Sequence, residues 1–234
     1  LDRGILRSVH VAGAPLDLTL KHRTEDLLGL PLLNGFGITE CSPGISGARQ
    51  SAPRSDDSVG PIVPGVEIRV MTPDNAEAKH GEVGELHVRG PNVMLGYYRA
   101  SDLTAKAVVD GWFVTGDLVR FDGHNLFIVG RVKEMIIRSG FNVYPAEIEA
   151  VINAHPAVLQ SAVVGRAVEG NEEIVAFVQL VPGIDATADD LHEFIRPQLT
   201  AYKRPGEIRV LDSFPAGSTG KILKHRLKEQ AQTA

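Results

Sequence analysis

Residues 215–226 read "PAGSTGKILKHR", and a Gly-Lys pair of this kind, here Gly220 and Lys221, can hold a phosphate. A P-loop needs Gly-x-x-x-x-Gly-Lys followed by Ser or Thr, so that backbone amides cradle the phosphates and the hydroxyl reaches Mg²⁺. Pro215 stands at the first glycine position and Ile222 follows the lysine, so the P-loop reading fails at two defining positions. The plainer reading, favoured on this stretch alone, is an exposed basic residue opening a last helix, "GKILKHRLKEQ".

Three other clusters carry oxygen or cationic chemistry. In "GFGITE", Gly35 and Gly37 let the backbone approach a planar ligand beside Phe36, while Thr39 and Glu40 supply a hydroxyl and a carboxylate, the ligands Mg²⁺ prefers. An ordinary strand-end turn explains the same letters equally well. In "GWFVTGDL", Asp117 follows a Thr-Gly turn and could accept both hydroxyls of a ribose, or simply cap the turn. "GRVKEMIIRSGFNVYPAEIE" gathers Arg131, Lys133, Glu134 and Arg138 within eight residues, which also fits a solvated, salt-bridged face. The eight histidines are scattered, with no pair at metal-ligand spacing, and Cys41 has no partner cysteine, so a buried or idle thiol is expected there.

These clusters must be carried by a soluble-type scaffold. The 234 residues are 43% hydrophobic and 23% charged, ordinary values for a globular chain. A net charge of −5, from 24 basic and 29 acidic residues, gives no general footprint for nucleic acid. A single cysteine excludes an internal disulfide framework and suits a reducing, cytoplasmic compartment. No apolar run approaches the roughly 20 residues that span a bilayer; a peripheral membrane contact stays open, and nothing in the sequence sets an oligomeric state. The N-terminal "LDRGILRSVHVAGAPL" has neither a start methionine nor the regions of a signal peptide, and reads like the middle of a longer protein.

Periodicity predicts a helix within residues 14–28, where Leu16, Leu20 and Leu27/Leu28 fall near helical spacing, feeding a short strand in "LLNGFGITE". From 58 to 130 short strands alternate with turns ("VEIRVM", "GELHVRG", "GDLVRFD", "NLFIVGR"), with one helix at "SDLTAKAVV"; this predicts a small, irregular sheet or barrel. After "GRVKE" the pattern is an α+β unit: strand "MIIRS", helix "PAEIEAVINA" opened by Pro145, strands "QSAVVGR" and "EEIVAFVQLV", helix "ADDLHEFIRPQL", strand "EIRVL" and a final helix. The fold class is therefore α+β. A boundary near Lys133 separates 1–132, subdivided at 57/58, from a compact domain at 133–234.

The ordered succession "NGFGITECSP", "GELHVRGPNVMLGYY", "DGWFVTGDL", "GRVKEMIIRSGFNVYPAEIE" and "PAGSTGK" resembles the adenylate-forming superfamily, and within it bacterial fatty acyl-CoA synthetases. The likeness runs from "AGAPL" onward. It implies an ATP- and Mg²⁺-dependent ligase that joins a carboxylate to ATP, releases pyrophosphate, and passes the acyl group from acyl-AMP to coenzyme A. It also implies that residues 1–132 are the end of a large AMP-binding domain and 133–234 a small mobile one.

Roles transfer only where letters match. Gly13 and Ala14 correspond to backbone lining the adenine, although the family often has Gly where Ala12 stands. Phe36 matches the aromatic residue packing on adenine, usually Tyr, so a hydroxyl is lost here. Thr39 corresponds to a phosphate contact, Glu40 to the Mg²⁺ carboxylate, and Asp117 with Arg131 to the ribose-binding pair. Lys133 holds the hinge position, Ser139 and Gly140 the loop lining the pantetheine channel, and Asn142 a place near the nucleotide in some relatives. Several plant relatives carry lysine where Ile137 stands, so no acyl-adenylate contact transfers there. Lys221 matches the lysine of a "P-x-x-x-x-G-K" signature, met by Pro215, Gly220 and Lys221.

Two rivals remain. An adenylation domain that loads a carrier protein fits less well, because the chain stops 13 residues after Lys221 and "SGFNVYPAEIE" is nearer to CoA ligases. A non-catalytic α+β interaction module is the other. "TECSP" leans toward fatty acids without naming the acid. The family's phosphate loop, "TSGTTGxPK", occurs nowhere in the chain. The 234 residues alone are therefore expected to release no pyrophosphate from ATP and a fatty acid, and a coupled pyrophosphate assay on the purified chain checks this.

Overall fold

The computed structural model describes residues 4–218 and 220–233. The chain divides into two compact units, Leu1–Val132 and Lys133–Ala234.

The first unit begins with β1 (Val9–Val11), α1 (Leu18–Leu28) and β2 (Leu32–Gly37), followed, after a one-turn 3-10 segment at Thr39–Cys41, by β3 (Gly44–Gly47). α1 lies within the predicted span and starts two residues past Leu16, the first of the spaced leucines. Asp17 is extended and its carboxylate accepts from the Leu20 amide at 2.8 Å, a side-chain cap that sets the first turn. Gly29, in the left-handed region at φ 57°, ends the helix. β1 and β2 are parallel, with Val9 opposite Leu32 and Val11 opposite Asn34, while β3 joins β2 antiparallel. A helix linking two parallel strands makes a βαβ unit, so the C-terminal ends of β1 and β2 share one edge, where ligands of α/β sheets bind. α1 buries Lys21, 1% exposed, whose ammonium donates to the carbonyls of Arg54 at 2.5 Å and Asp56 at 2.8 Å. Those bonds replace the water a buried ammonium would lose.

The remainder of this unit is an antiparallel sheet of β4 (Glu67–Met71), β5 (Val83–Arg89), β6 (Val108–Val109), β7 (Trp112–Phe121) and β8 (Leu126–Arg131), with α2 (Ser101–Ala107) before β6. β5 lies along one edge of β7, and β6 and β8 share the other. The helix predicted through Val109 ends at Ala107, because the β-branched Val108 and Val109 pair with Phe113 and Trp112 instead. Leu86, Val88, Phe113, Val119 and Leu126 form a core with Cys41, Ile45 and Val59, and Phe36 and Ile38 pack against it.

The second unit comprises the hairpin β9 (Ile136–Arg138) and β10 (Phe141–Val143), α3 (Pro145–Asn153), β11 (Val158–Val168), β12 (Asn171–Leu180), α4 (Ala188–Ile195), β13 (Glu207–Val210) and α5 (Lys224–Gln232). The sheet order is β11-β12-β13, antiparallel then parallel. It is apolar on both faces. Ile174, Ala176 and Val178 belong to a core with Ile148, Ile152, Leu191 and Ile195 of α3 and α4, while the alternating Val175 and Phe177 pack with Leu227 and Ala231 of α5. α4 opens with a capping box in which Thr187 and Asp190 exchange bonds. The final helix begins at Lys224, not at the Gly-Lys pair. Ahead of it Ala216 bridges Ile222, the Gly217 amide donates to the Lys221 carbonyl at 2.9 Å and the Leu223 amide to the Pro215 carbonyl at 2.8 Å. Gly220, at φ 79°, supplies a left-handed step that a helix could not contain.

The carbonyls that receive Lys21 belong to a loop with its own electrostatic lock. The Arg54 guanidinium pairs with Asp56, Nε to Oδ1 at 3.2 Å, and the Ser58 amide donates to the same carboxylate at 3.2 Å. The Arg54 hydrogen bond, against the cost of burial and with help from Ser58, holds the Asp56 carboxyl down from 3.8 to about 2. A depressed native pKa stabilises above the unfolded value and is lost as pH falls through the native one. The stability difference between the wild type and Asp56→Asn should thus be full above pH 3.8 and vanish as pH falls to about 2, as read from urea unfolding midpoints.

Candidate active site

β2 delivers the first group of candidates. Phe36 is half-buried at its end, and Thr39 and Glu40 occupy the 3-10 turn that follows. The turn is closed by the Cys41 amide donating to the Ile38 carbonyl and the Ile38 amide to the Pro43 carbonyl, both at 2.9 Å. Thr39 is exposed and Glu40 partly so. Gly13, at φ 89°, and Ala14 are exposed just past β1, on the same edge as the end of β2. Cys41 is fully buried beneath the turn, and burial, then the Glu40 charge, push its thiol up to about 11. It stays protonated at neutral pH.

Asp117 and Arg131 face each other as a register pair on β7 and β8. Arg131 Nε donates to Asp117 Oδ1 at 2.7 Å, and Asp117 is only 5% exposed. The Thr-Gly turn expected before Asp117 is instead a bulge inside the continuous β7. Between His87–Val114 and Glu85–Leu118 the ladder slips, and Gly116 takes φ 72°. Thr115 Oγ1 donates to the Leu86 carbonyl at 2.7 Å and accepts from the Asp117 amide at 3.0 Å. A bulge re-aims the residue after it, which is how a buried strand presents a carboxylate to its neighbour's arginine.

In the second unit, Ser139 and Gly140 are the turn of the β9–β10 hairpin, both left-handed at φ 51° and 81°. Asn171 fixes it: its Oδ1 accepts from the Ser139 amide at 2.7 Å. Asn142 is exposed opposite Ile137, and Phe141 stacks on Tyr202 with centroids 4.6 Å apart. Lys133 is exposed in the 3-10 segment Val132–Glu134. Lys221 is exposed on its own loop. The charges clustered in "GRVKEMIIR" do not form one salt-bridged face; three of the four take separate partners. Arg131 takes Asp117, Arg138 donates to the Arg204 carbonyl at 2.6 Å, and Glu134 receives Lys224 at 3.3 Å.

Two features escape sequence reasoning. Lys224 pairs with Glu149 at 2.7 Å as well as with Glu134. Burial acts against its charge, but the two carboxylates outweigh it and raise its pKa. Within "GKILKHRLKEQ" nothing in the sequence assigns Lys224 a role. The second feature is the segment 90–98, quoted above as a motif without a role. Asn92 Nδ2 donates to the carbonyls of Cys41 at 3.1 Å and Gly44 at 2.9 Å, the Met94 amide donates to the Glu40 carbonyl at 2.7 Å, and the Tyr97 hydroxyl donates to Glu40 Oε1 at 2.9 Å. Burial, and then that carboxylate, push the Tyr97 phenol above its ordinary range.

Among the described residues no group of three or more His, Cys, Asp or Glu side chains could hold a metal. One carboxylate and one hydroxyl at an exposed turn suit a Mg²⁺ that arrives with its phosphates and waters rather than one caged by protein. Glu40 fits that donor set. No helix among the described residues is long and apolar enough to cross a membrane.

The model of the AMP-binding enzyme family matches residues 1–98, and that of the AMP-binding enzyme C-terminal domain matches residues 147–221. The chain belongs to the AMP-binding enzymes. It is 39% identical over 231 residues to a long-chain-fatty-acid–CoA ligase of Yersinia pestis, covering 98% of this chain and 41% of the relative. It is 36% identical over 238 residues to a fatty acid–acyl-carrier-protein ligase of Streptomyces coeruleorubidus, covering 98% and 45%. The crystal structure of ATP-bound MatB from Rhodopseudomonas palustris superposes with a TM-score of 0.91 at 32% identity, over 97% of this chain and 46% of that one. The chain thus spans less than half the length of the AMP-binding relatives it matches.

The turn carrying Thr39 and Glu40 depends on Gly37. A Cβ there would lie 2.1 Å from the Pro43 carbonyl oxygen, a backbone atom, whereas one on Gly47 would meet nothing within 4 Å. Gly37→Ala should therefore cost about 1–3 kcal/mol through forced backbone movement, and Gly47→Ala much less. Paired thermal unfolding of the two variants measures the difference.

Proposed function

We propose that the protein is an ATP- and Mg²⁺-dependent acyl-CoA synthetase acting on a fatty acid. The observation that carries this reading is the edge formed by the ends of the parallel strands β1 and β2, past which the chain places Gly13 and Ala14 on one side and Phe36, Thr39 and Glu40 on the other. Membership of the AMP-binding family and the fatty-acid–CoA ligase named among its relatives support it.

In the first step a carboxylate oxygen attacks the α-phosphorus of ATP, forming the acyl–AMP bond as the bond to pyrophosphate breaks. Gly13, Ala14 and the Phe36 ring hold the adenine. Asp117 accepts from the ribose hydroxyls while Arg131 fixes its orientation. The step brings two anions together, and a repulsion of about 1 kcal/mol in water rises to several at lower effective dielectric. Lys221 offsets this by bridging the carboxylate and phosphoryl oxygens. Glu40 would hold the Mg²⁺, which when bound would supply charge neutralisation on the pyrophosphate oxygens, and Thr39 would contact the phosphates.

In the second step the coenzyme A thiol loses its proton and attacks the acyl carbon, and AMP leaves. By resemblance to the family, rotation at Lys133 exchanges Lys221 for the Ser139–Gly140 hairpin along the pantetheine, with Asn142 near the nucleotide. The left-handed turn suits close passage of a ligand, because Gly140 carries no side chain and a Cβ there would meet nothing within 4 Å. A cytoplasmic location belongs to the same reading.

The carrier-protein ligase among the relatives favours a second reading, in which the acyl group goes to a protein-bound pantetheine. Both readings share the adenylate, so the acceptor separates them. In the full-length gene product, Lys221→Ala should lower adenylation by roughly 10²–10³, the scale of losing one preorganised donor, and leave thioester formation from supplied acyl-AMP largely intact. The two half-reactions are to be measured separately, with free coenzyme A and a carrier protein as alternative acceptors. Unchanged acyl-AMP formation removes Lys221 from the chemistry, and turnover with carrier protein alone selects the second reading.

A further inference from the structure

The segment Gly90–Tyr98 is more elaborately anchored than a connection between β5 and α2 requires. Its backbone and side chains grip the Glu40 turn at several points, through Met94 to the Glu40 carbonyl and through Asn92 to the carbonyls of Cys41 and Gly44. Its far end is tied to α2. The Tyr97 amide donates to Thr104 Oγ1 at 2.9 Å, and Thr104 Oγ1 donates to the Ala100 carbonyl at 3.1 Å. Gly96, at φ 150°, brings its backbone so close to Thr104 that a Cβ would lie 2.8 Å from that side chain. The glycine thus sets the direction in which the next residue leaves.

The outcome is a division between neighbours. Leu95 and Tyr98 point to solvent, Tyr98 being 85% exposed, whereas Tyr97 is 36% exposed and its hydroxyl reaches Glu40 Oε1 at 2.9 Å. A donor on one carboxylate oxygen fixes the side-chain torsions and leaves the other oxygen to accept elsewhere. Mg²⁺ demands near-ideal geometry from the few protein oxygens it takes, so a glutamate reaching out from an exposed turn gains from such a brace.

We propose that Tyr97 is a positioning residue for the cation-binding carboxylate: its hydroxyl holds Glu40 through Oε1 and presents Oε2 to the cation carried by the nucleotide. This rests on the reading of Glu40 as the Mg²⁺ carboxylate. The bond removes torsional freedom that the metal would otherwise have to quench on binding. The brace is local to the first unit and draws only on residues 40–104.

The test uses Mn²⁺ as the probe, in the full-length gene product with ATP present, and reads bound metal directly by electron paramagnetic resonance. Tyr97→Phe should weaken Mn²⁺ binding by about three- to tenfold, the equivalent of one net hydrogen bond, with metal-free ATP binding and the unfolding temperature unchanged. Tyr98→Phe should leave Mn²⁺ binding at the wild-type value. Glu40→Gln should reduce it further than Tyr97→Phe. Wild-type Mn²⁺ affinity in Tyr97→Phe beside a loss in Glu40→Gln overturns the brace and leaves Glu40 as ligand. Wild-type affinity in Glu40→Gln overturns the site reading itself. A parallel fall in metal-free ATP binding in Tyr97→Phe reduces Tyr97 to general structural support and overturns the proposal.

Discussion

β2 can turn from a buried strand into a partly exposed carboxylate within three residues because no side chain stands at Gly37. The Pro43 carbonyl occupies that space and receives the Ile38 amide, so the chain reverses at once into β3. Much of the first unit follows from this closure. Cys41 is drawn beneath the turn into the core shared with Leu86 and Val119, and the Cys41 and Gly44 carbonyls are left facing Asn92. A wider turn would loosen the anchoring of the 90–98 segment along with Glu40.

Buried Lys21 and partly buried Lys224 resolve the same electrostatic problem differently. Lys21 is satisfied by neutral carbonyls, so its charge anchors a loop without depending on the ionisation of a partner. Lys224 sits between the carboxylates of Glu149 and Glu134, and truncating it would leave two acids facing one another. The first arrangement ties α1 to residues 54–56. The second ties the start of α5 to α3 and to the residue after Lys133, so the loop bearing Lys221 is rooted beside a three-membered charged cluster.

Much of the architecture was legible because its signals are local. The alternation in "EEIVAFVQLV", Pro145 at a helix start, and the turn residues between strands place elements correctly to within a few residues. The errors fall where a tertiary partner overrides local preference. Val108 and Val109 leave a helical pattern for β7, and Lys221 is held out of α5 by a bridge between Ala216 and Ile222. The bulge before Asp117 has a glycine signal, but "TG" reads as a turn until β5 and β8 are known to flank it. Tyr97 and Lys224 could not be found from sequence at all. Their partners lie 57 residues away in one case, and in the other depend on how α5 folds back, separations over which letters carry no geometric information.

The alternation that fills both faces of β12 has a consequence for how such a chain can change over time. Shifting the strand by one residue would exchange Phe177 and Val175 with Ala176 and Ile174, sending each set into the wrong core at once. Single-residue insertions inside this strand are thereby penalised twice, on two helical layers simultaneously. Length variation is channelled instead into the reversals near Gly170 and Gly183, both left-handed and clear of neighbours at the Cβ position. The fold thus tolerates a change in the span of those reversals far better than a change in the count of residues between them.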